Sequence, residues 1–163
     1  MYHRFNESRY PSTNIQMDVF LDQIQLIKDL NYEFIHPDKF QKKFTIPKKK
    51  KKILLTVDDA FQSFYEVAWP FLKENKIPFV LFVSTEPVGN KGYMTWDQIK
   101  EIEKQDFALL GHHSHSHEYL IDKSDEEFIL DIKNANLIFK EKIGYIPTLF
   151  SYPFGEYSEF MRN

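Results

Sequence analysis

The sequence predicts an α/β fold of parallel βα units, with the strands in a sheet that is either open or curled into a barrel. Two observations carry this. Short apolar blocks alternate with stretches of helical periodicity, and the connections between blocks are long enough, at roughly twenty residues or more, for crossovers that leave the strands parallel.

Taken in order, Met1 and Tyr2 fit the tail of a first strand. Met17, Phe20, Leu21, Ile24, Ile27 and Leu30 then recur at steps of three and four, which predicts a helix burying one stripe. Ile53–Val57 and Phe79–Val83 are the apolar blocks expected of strands covered on both faces. Between them Ser63–Asn75 reads as helix, kinked or divided at Pro70. Thr95 with Gln98 forms a capping-box signature for a helix to about Lys104, and Phe107–Leu110 follows as a third buried strand that Gly111 is expected to end. Ser124 with Glu127 repeats the signature for a helix to about Lys142, which Gly144 stops, and Thr148–Tyr152 is expected to be a further strand. No linker divides the chain, so residues 1–163 are expected to form a single domain.

Composition narrows the function classes. Aromatic residues make up 17% and apolar residues 42%, which excludes disordered and collagen-like chains. The formal net charge of -3 gives no global attraction to nucleic acid. The lysines at 48–52 are read as a solvated, gatekeeping turn before a buried strand rather than a nucleic-acid patch. No apolar run is long enough for a transmembrane segment, and the first residues show no signal region. With no Cys, any metal must bind through nitrogen and oxygen.

The unusual polar residues follow the predicted strands at their C-terminal ends, the face where parallel α/β folds build active sites. Asp58 and Asp59 follow one strand, and His112, His113, His115 and His117 follow another. Pro153, Phe154 and Gly155 follow a third, and His3 follows the N-terminal tail. Adjacent carboxylates repel, so a cation is the natural compensation. The plainer alternative is one Asp capping the next helix while the other faces water. Within Gly-His-His-Ser-His-Ser-His, a turn after Gly111 favours pairing His113 with His117, the plainer alternative being a polar loop without a ligand. Two imidazoles and a carboxylate would hold a divalent ion with positions open for water and substrate, as in a catalytic site. The other aspartate could then take a proton from the attacking water.

Three segments resemble the motifs of the polysaccharide deacetylases with the NodB homology domain, carbohydrate esterase family four. Thr56-Val57-Asp58-Asp59-Ala60 is similar to that family's T-F-D-D-G, and the histidine segment to its H-S/T-x-x-H. Ser151-Tyr152-Pro153-Phe154-Gly155 is similar to R-x-P-x-G. The resemblance implies an incomplete or distorted (β/α) barrel of the NodB type. It also implies Asp58 as general base, Asp59, His113 and His117 as ligands of one divalent ion, and the Phe154 amide as oxyanion donor. Zinc is the first expectation for the ion, with nickel, cobalt or iron as alternatives. Tyr152, Pro153 and Gly155 fall in the third motif as substrate-binding positions, and Tyr152, Tyr157, Trp96 and Tyr119 are aromatic candidates for stacking on sugar rings.

Three departures stand out. Ala60 replaces the motif glycine, Ser151 replaces the arginine that orients the base, and the later motif that supplies the general acid is missing. Tyr2-His3 resembles the N-terminal Tyr-His segment of the permuted poly-N-acetylglucosamine deacetylases, which implies His3 as general acid. The family domain is usually larger, so Met1 and Asn163 are expected to be edges of a fragment. The expected activity is metal-dependent de-N-acetylation of a polysaccharide or oligosaccharide bearing N-acetyl groups, outside the cytoplasm or in the cell envelope. The alternatives are a glycan-binding or scaffolding domain with little turnover, or an enzyme acting on an O-acetyl ester.

Overall fold

The computed structural model describes residues 1–41 and 51–162. Lys48, Lys49 and Lys50 of the basic run lie outside the described residues, while Lys51 and Lys52 lie within them. Among the described residues, seven short strands and six α-helices appear in chain order. These are β1 (Arg4–Phe5), β2 (Asn14–Ile15), α1 (Met17–Asp29), β3 (Glu33–Phe34), α2 (Pro37–Gln41), β4 (Lys52–Ile53) and β5 (Leu55–Val57), then α3 (Trp69–Asn75), β6 (Phe79–Val83), α4 (Trp96–Glu103), β7 (Ala108–His112), α5 (Asp125–Ile143) and α6 (Glu159–Arg162).

The centre is a parallel sheet in the order β5-β6-β7. Tyr2 bridges in parallel to Val57 on one side, and Phe150 to His112 on the other. The run therefore carries five parallel segments, and among the described residues no pairing closes it into a barrel. Two further parallel pairs, β1 with β2 and β3 with β4, flank it.

Every residue of β6 is buried, as its unbroken apolar run requires of a strand covered on both faces. The core is strongly aromatic. Phe5, Phe20, Phe64, Phe79 and Phe139 are fully buried, each such ring contributing on the order of 2 to 3 kcal/mol from area alone. Edge-to-face contacts of Phe20 with Tyr2 at 5.0 Å and with Phe5 at 5.2 Å tie the N-terminal segment to α1. That packing fixes Tyr2 and Phe5 on either side of His3.

Both capping boxes form as the sequence predicts, at Thr95 with Gln98 and at Ser124 with Glu127, and Gly144 closes α5 in the left-handed conformation. Pro70 divides its helix: a π-helical turn, Phe64–Ala68, leads into α3, where the proline sits in the first turn and needs no donor.

Three strand expectations need correction. Ile53–Val57 is not one strand: β4 pairs with β3, β5 pairs with β6 in the central sheet, and Leu54 between them belongs to neither. The third buried strand is Ala108–His112, so Gly111 lies inside it rather than ending it. Gly111 pairs with Phe82 of β6, and a Cβ on it would come within 2.3 Å of the Phe82 ring, so only glycine fits there. At 148–152 only Phe150 makes a bridge. The ladder stops there because the Ser151 carbonyl accepts the Nδ1–H of His113 instead of a strand neighbour.

Candidate active site

The turn after β5 carries the paired aspartates. Asp58 N–H donates to the Tyr2 carbonyl at 2.9 Å, prolonging the bridge between the N-terminal segment and β5. Asp59 (φ 73°) and Ala60 (φ 55°) then take left-handed conformations, which cost an L-residue roughly 1 to 2 kcal/mol each. Ala60 thus makes the turn that a glycine would make more cheaply. The Met94 N–H to Ala60 carbonyl bond at 2.9 Å and the Phe61–Tyr93 bridge hold it in place. Both aspartates are buried.

The histidine loop leaves β7 beside the residues that follow β6. His113 N–H donates to the Val83 carbonyl, and the Ser84 hydroxyl donates to the His113 carbonyl at 2.5 Å. Asp131 of α5 accepts the N–H of His115 at 2.7 Å and of Ser116 at 2.9 Å, one carboxylate oxygen for each. Ser114 (φ 69°) and His117 (φ 56°) are left-handed, and His117 N–H donates to the Ser114 hydroxyl. The loop therefore brings His113 and His117 together, with ring centroids 5.0 Å apart, without forming a helical turn. His115 is directed elsewhere, its Nδ1 2.8 Å from the Thr85 hydroxyl. His112 is buried between the rings of Phe139 and Phe150, and burial pushes its pKa down to about 4, so it is a neutral packing residue.

Asp59 is the meeting point. Its Oδ1 lies 2.8 Å from His117 Nε2 and 3.3 Å from His113 Nε2. Ligand atoms of the three residues fall within 4.8 Å of one another. Asp59 Oδ1 is nevertheless buried without a well-formed hydrogen bond, which fits a position prepared for a cation. The carbonyl of Ser151 can only accept, so its 2.7 Å contact places the proton of neutral His113 on Nδ1 and leaves the Nε2 lone pair, on the side facing Asp59, free to ligate a cation. Burial alone would raise the Asp59 pKa, but His113 and His117 outweigh it and hold this carboxyl far below the usual range. Burial likewise opposes the charged form of His117, yet Asp59 outweighs it and raises that pKa. Two imidazoles and one ionised carboxylate suit a divalent ion that keeps open positions. Among the described residues this is the one group of three or more His, Asp or Glu side chains that converges in this way.

Asp58 behaves differently from its neighbour. Burial raises its pKa, and the neighbouring His113 and His3 imidazoles only partly offset that. The Ser151 hydroxyl donates to its Oδ2 at 3.3 Å, while Oδ1 is buried without a partner. Ser151 thus reaches both the base candidate, through its hydroxyl, and a ligand candidate, through its carbonyl. His3 follows Tyr2 directly, lines a cleft with Thr13, Asn14 and Gln23, and opposes the rise in the Asp58 pKa.

The third motif segment is a tight 3-10 turn, Pro153–Gly155, with Phe154 (φ 60°) and Gly155 (φ 74°) both left-handed. The exposed Phe154 ring lies 5.2 Å from that of His117 and 5.5 Å from that of Tyr119, at the rim of the site. Pro153 is buried under it. Tyr152 turns toward α6: its hydroxyl donates to the Met161 carbonyl at 3.1 Å, and its ring stacks on Tyr157 at 5.0 Å. Trp96 packs against Phe139, whereas Tyr119 and Tyr157 remain exposed. Two contributors were not visible as such in the sequence. Ser151 registered there only as a missing arginine, and Asp131 looked like any acidic residue on an amphipathic helix.

Residues 45–163 match the family model for polysaccharide deacetylase. The chain is 24% identical over 161 residues to YxkH of Bacillus subtilis, an alignment covering 98% of this chain and 57% of that protein. It is 26% identical over 132 residues to the poly-beta-1,6-N-acetyl-D-glucosamine N-deacetylase of Staphylococcus aureus, covering 77% of this chain and 45% of the other. The chain thus spans about half the length of the curated relatives it matches. Among solved structures, IcaB from Ammonifex degensii superposes with a TM-score of 0.88 at 28% identity, over 99% of this chain and 75% of that one. The Streptococcus pyogenes deacetylase PplD, solved with acetate, gives 0.85 at 25% identity with the same coverage. With the family model matching from just before β4 to the last residue, over the segment that holds both aspartates, the histidine loop and the third motif, the chain belongs to the polysaccharide deacetylase family.

Proposed function

We propose that this chain removes N-acetyl groups from an N-acetylhexosamine-containing polysaccharide of the cell envelope or its surroundings, with acetate and a free amine as products. One observation carries the reading: Asp58 Oδ1, buried and without a partner, sits beside the convergent Asp59, His113 and His117 group. Likeness to the Staphylococcus aureus N-deacetylase and to the acetate-bound PplD supports it. Asp59, His113 and His117 would hold one divalent ion, zinc before nickel, cobalt or iron, which when bound supplies Lewis acidity toward the amide carbonyl and lowers the pKa of water.

The chain's own residues divide the remaining work. Asp58, with its pKa raised toward the working range by burial, accepts at Oδ1 the proton of the attacking water. Ser151 keeps Oδ2 engaged, so the carboxylate presents a single orientation. The Phe154 amide, in its left-handed turn, donates to the oxyanion. His3 gives a proton to the departing nitrogen as the carbon-nitrogen bond breaks, so water is divided between acetate and amine. Pro153 and Gly155 shape that turn, and Tyr152 supports it from behind while the exposed Phe154 and Tyr119 rings offer a sugar-facing rim.

Acetate release from N-acetylglucosamine oligomers, compared with release from an O-acetylated sugar, tests the reading. The amide is expected to be the better substrate, with release abolished in Asp58→Asn and in His113→Ala. Unchanged release in either variant would overturn the assignment.

A further inference from the structure

Next to the Asp59–Ala60 turn the surface opens into a cleft of roughly 660 Å³, whose walls include Arg4, Glu7, Arg9, Tyr10, Lys91 and Tyr93. It is joined to the candidate site by backbone: Phe61 bridges to Tyr93, Gln62 N–H donates to the Gly92 carbonyl, and Met94 N–H donates to the Ala60 carbonyl. Its size is that of a small-ligand site.

The charge of this cleft is opposite to that of the aspartate turn beside it. Three cations face one carboxylate, Glu7, which is paired with Arg4 at 3.0 Å. Arg9 and Lys91 are exposed and, among the described residues, form no ion pair. Arg4 is held in position, its guanidinium 3.4 Å from the Phe61 ring centroid and 4.1 Å from that of Tyr10, and Arg9 also lies over the Tyr10 ring, at 5.6 Å. Stacking on two rings leaves a planar guanidinium pre-organised, with only Nη1 engaged by Glu7. A neutral acetamide needs none of these cations, and the adjacent aspartates would repel an anion placed at the reacting sugar itself. A glycan whose neighbouring unit is acidic satisfies both surroundings at once.

We infer that the Arg4, Arg9 and Lys91 cleft binds an anionic substituent, carboxylate or phosphate, on a sugar adjoining the one that is deacetylated. Guanidinium and ammonium groups suit either anion. Tyr93, which lines the cleft and bridges to Phe61 just after the aspartate turn, offers the sugar plane a surface between the two charged regions. The inference rests on the deacetylation reading for the identity of the reacting group, though not for binding to the cleft.

The test uses three probes: a neutral N-acetylglucosamine pentamer, the same pentamer carrying one 6-phosphate, and an alternating N-acetylglucosamine–glucuronate oligomer. Equilibrium binding is measured on the Asp58→Asn protein, and kcat/KM on the unaltered one. At least one anionic probe is expected to exceed the neutral one by about tenfold in both measurements, and whichever does so identifies the source of the charge. That ratio should fall to near one in the Arg9→Glu, Lys91→Glu double variant. It should also fall at about 0.5 M salt, where screening shortens to below ~5 Å, a control that needs no mutant to fold. Equal binding of all three probes, or a preference that survives both charge reversal and salt, overturns the inference. The two readings fail separately: no acetate from any probe with the binding preference intact contradicts deacetylation alone, and equal acetate release and binding from all three contradicts the cleft alone.

Discussion

Ser151 shows how one side chain and its own carbonyl can serve two partners. The carbonyl fixes the His113 tautomer, and the hydroxyl restrains Asp58 across a sequence separation of 93 residues. Where the family motif has an arginine, a short neutral donor here stabilises the ionised form of the proposed base, Asp58, without adding charge. A hydrogen bond to a charged group contributes about 1.5 to 3 kcal/mol. Ser151→Ala should therefore lower kcat by about tenfold or more with a smaller change in KM, as steady-state kinetics would show. The hydroxyl favours the ionised form of Asp58, so its loss raises a pKa already raised by burial. Because the base must be ionised, the acid limb of the pH-rate profile should move to higher pH, and an acid limb that stays in place would remove Ser151 from this role. The sequence disclosed Asp58, Asp59, His113 and His117 because their types are costly to bury together without a purpose. It did not disclose Ser151 or Asp131, whose contributions come from a backbone carbonyl and from contacts that exist only after folding.

At the scale of elements, the strand and helix signals that read correctly were local. Thr95 with Gln98, Ser124 with Glu127 and the terminal Gly144 state their structure within one helical turn of sequence. The two-residue strands β1, β2, β3 and β4 carry no periodicity to read, and the extension of β7 through Gly111 depends on Phe82 in another strand. Gly111→Ala must displace that ring, an overpacking that costs about 1 to 3 kcal/mol. Its thermal midpoint should fall, whereas Gly144→Asn, at a cap that tolerates asparagine, should change stability by less than about 1 kcal/mol. The histidine loop depends on α5 in the same way. Asp131→Ala leaves the N–H groups of His115 and Ser116 without their acceptor, so metal affinity should fall by about 10- to 100-fold, as for other supports of a ligand loop. Isothermal titration of the chelated protein with zinc would measure it, and unchanged affinity would show that the loop holds its shape without α5.

For the whole molecule, the fold gathers Asp59, His113 and His117 from distant parts of the chain into one cluster, with Ser151 in contact with both Asp58 and His113. The N-terminal segment is tied to β5 because Tyr2 bridges to Val57 and packs on Phe20, and the proposed role of His3 rests on that attachment. An ion that binds only the folded arrangement stabilises it by about 2.7 kcal/mol at a hundred times its dissociation constant. Chelation should therefore lower the thermal midpoint of the wild type and leave that of His113→Ala nearly unchanged. The division of labour between the two aspartates is the most exposed claim. It is tested by measuring metal content and acetate release on the same preparations of Asp58→Asn and Asp59→Asn. Asp58→Asn should retain one equivalent of ion while its turnover falls by about 10²-fold or more, and Asp59→Asn should lose both. Loss of the ion from Asp58→Asn with its retention in Asp59→Asn, or full turnover in either, would contradict the assignment of base and ligand.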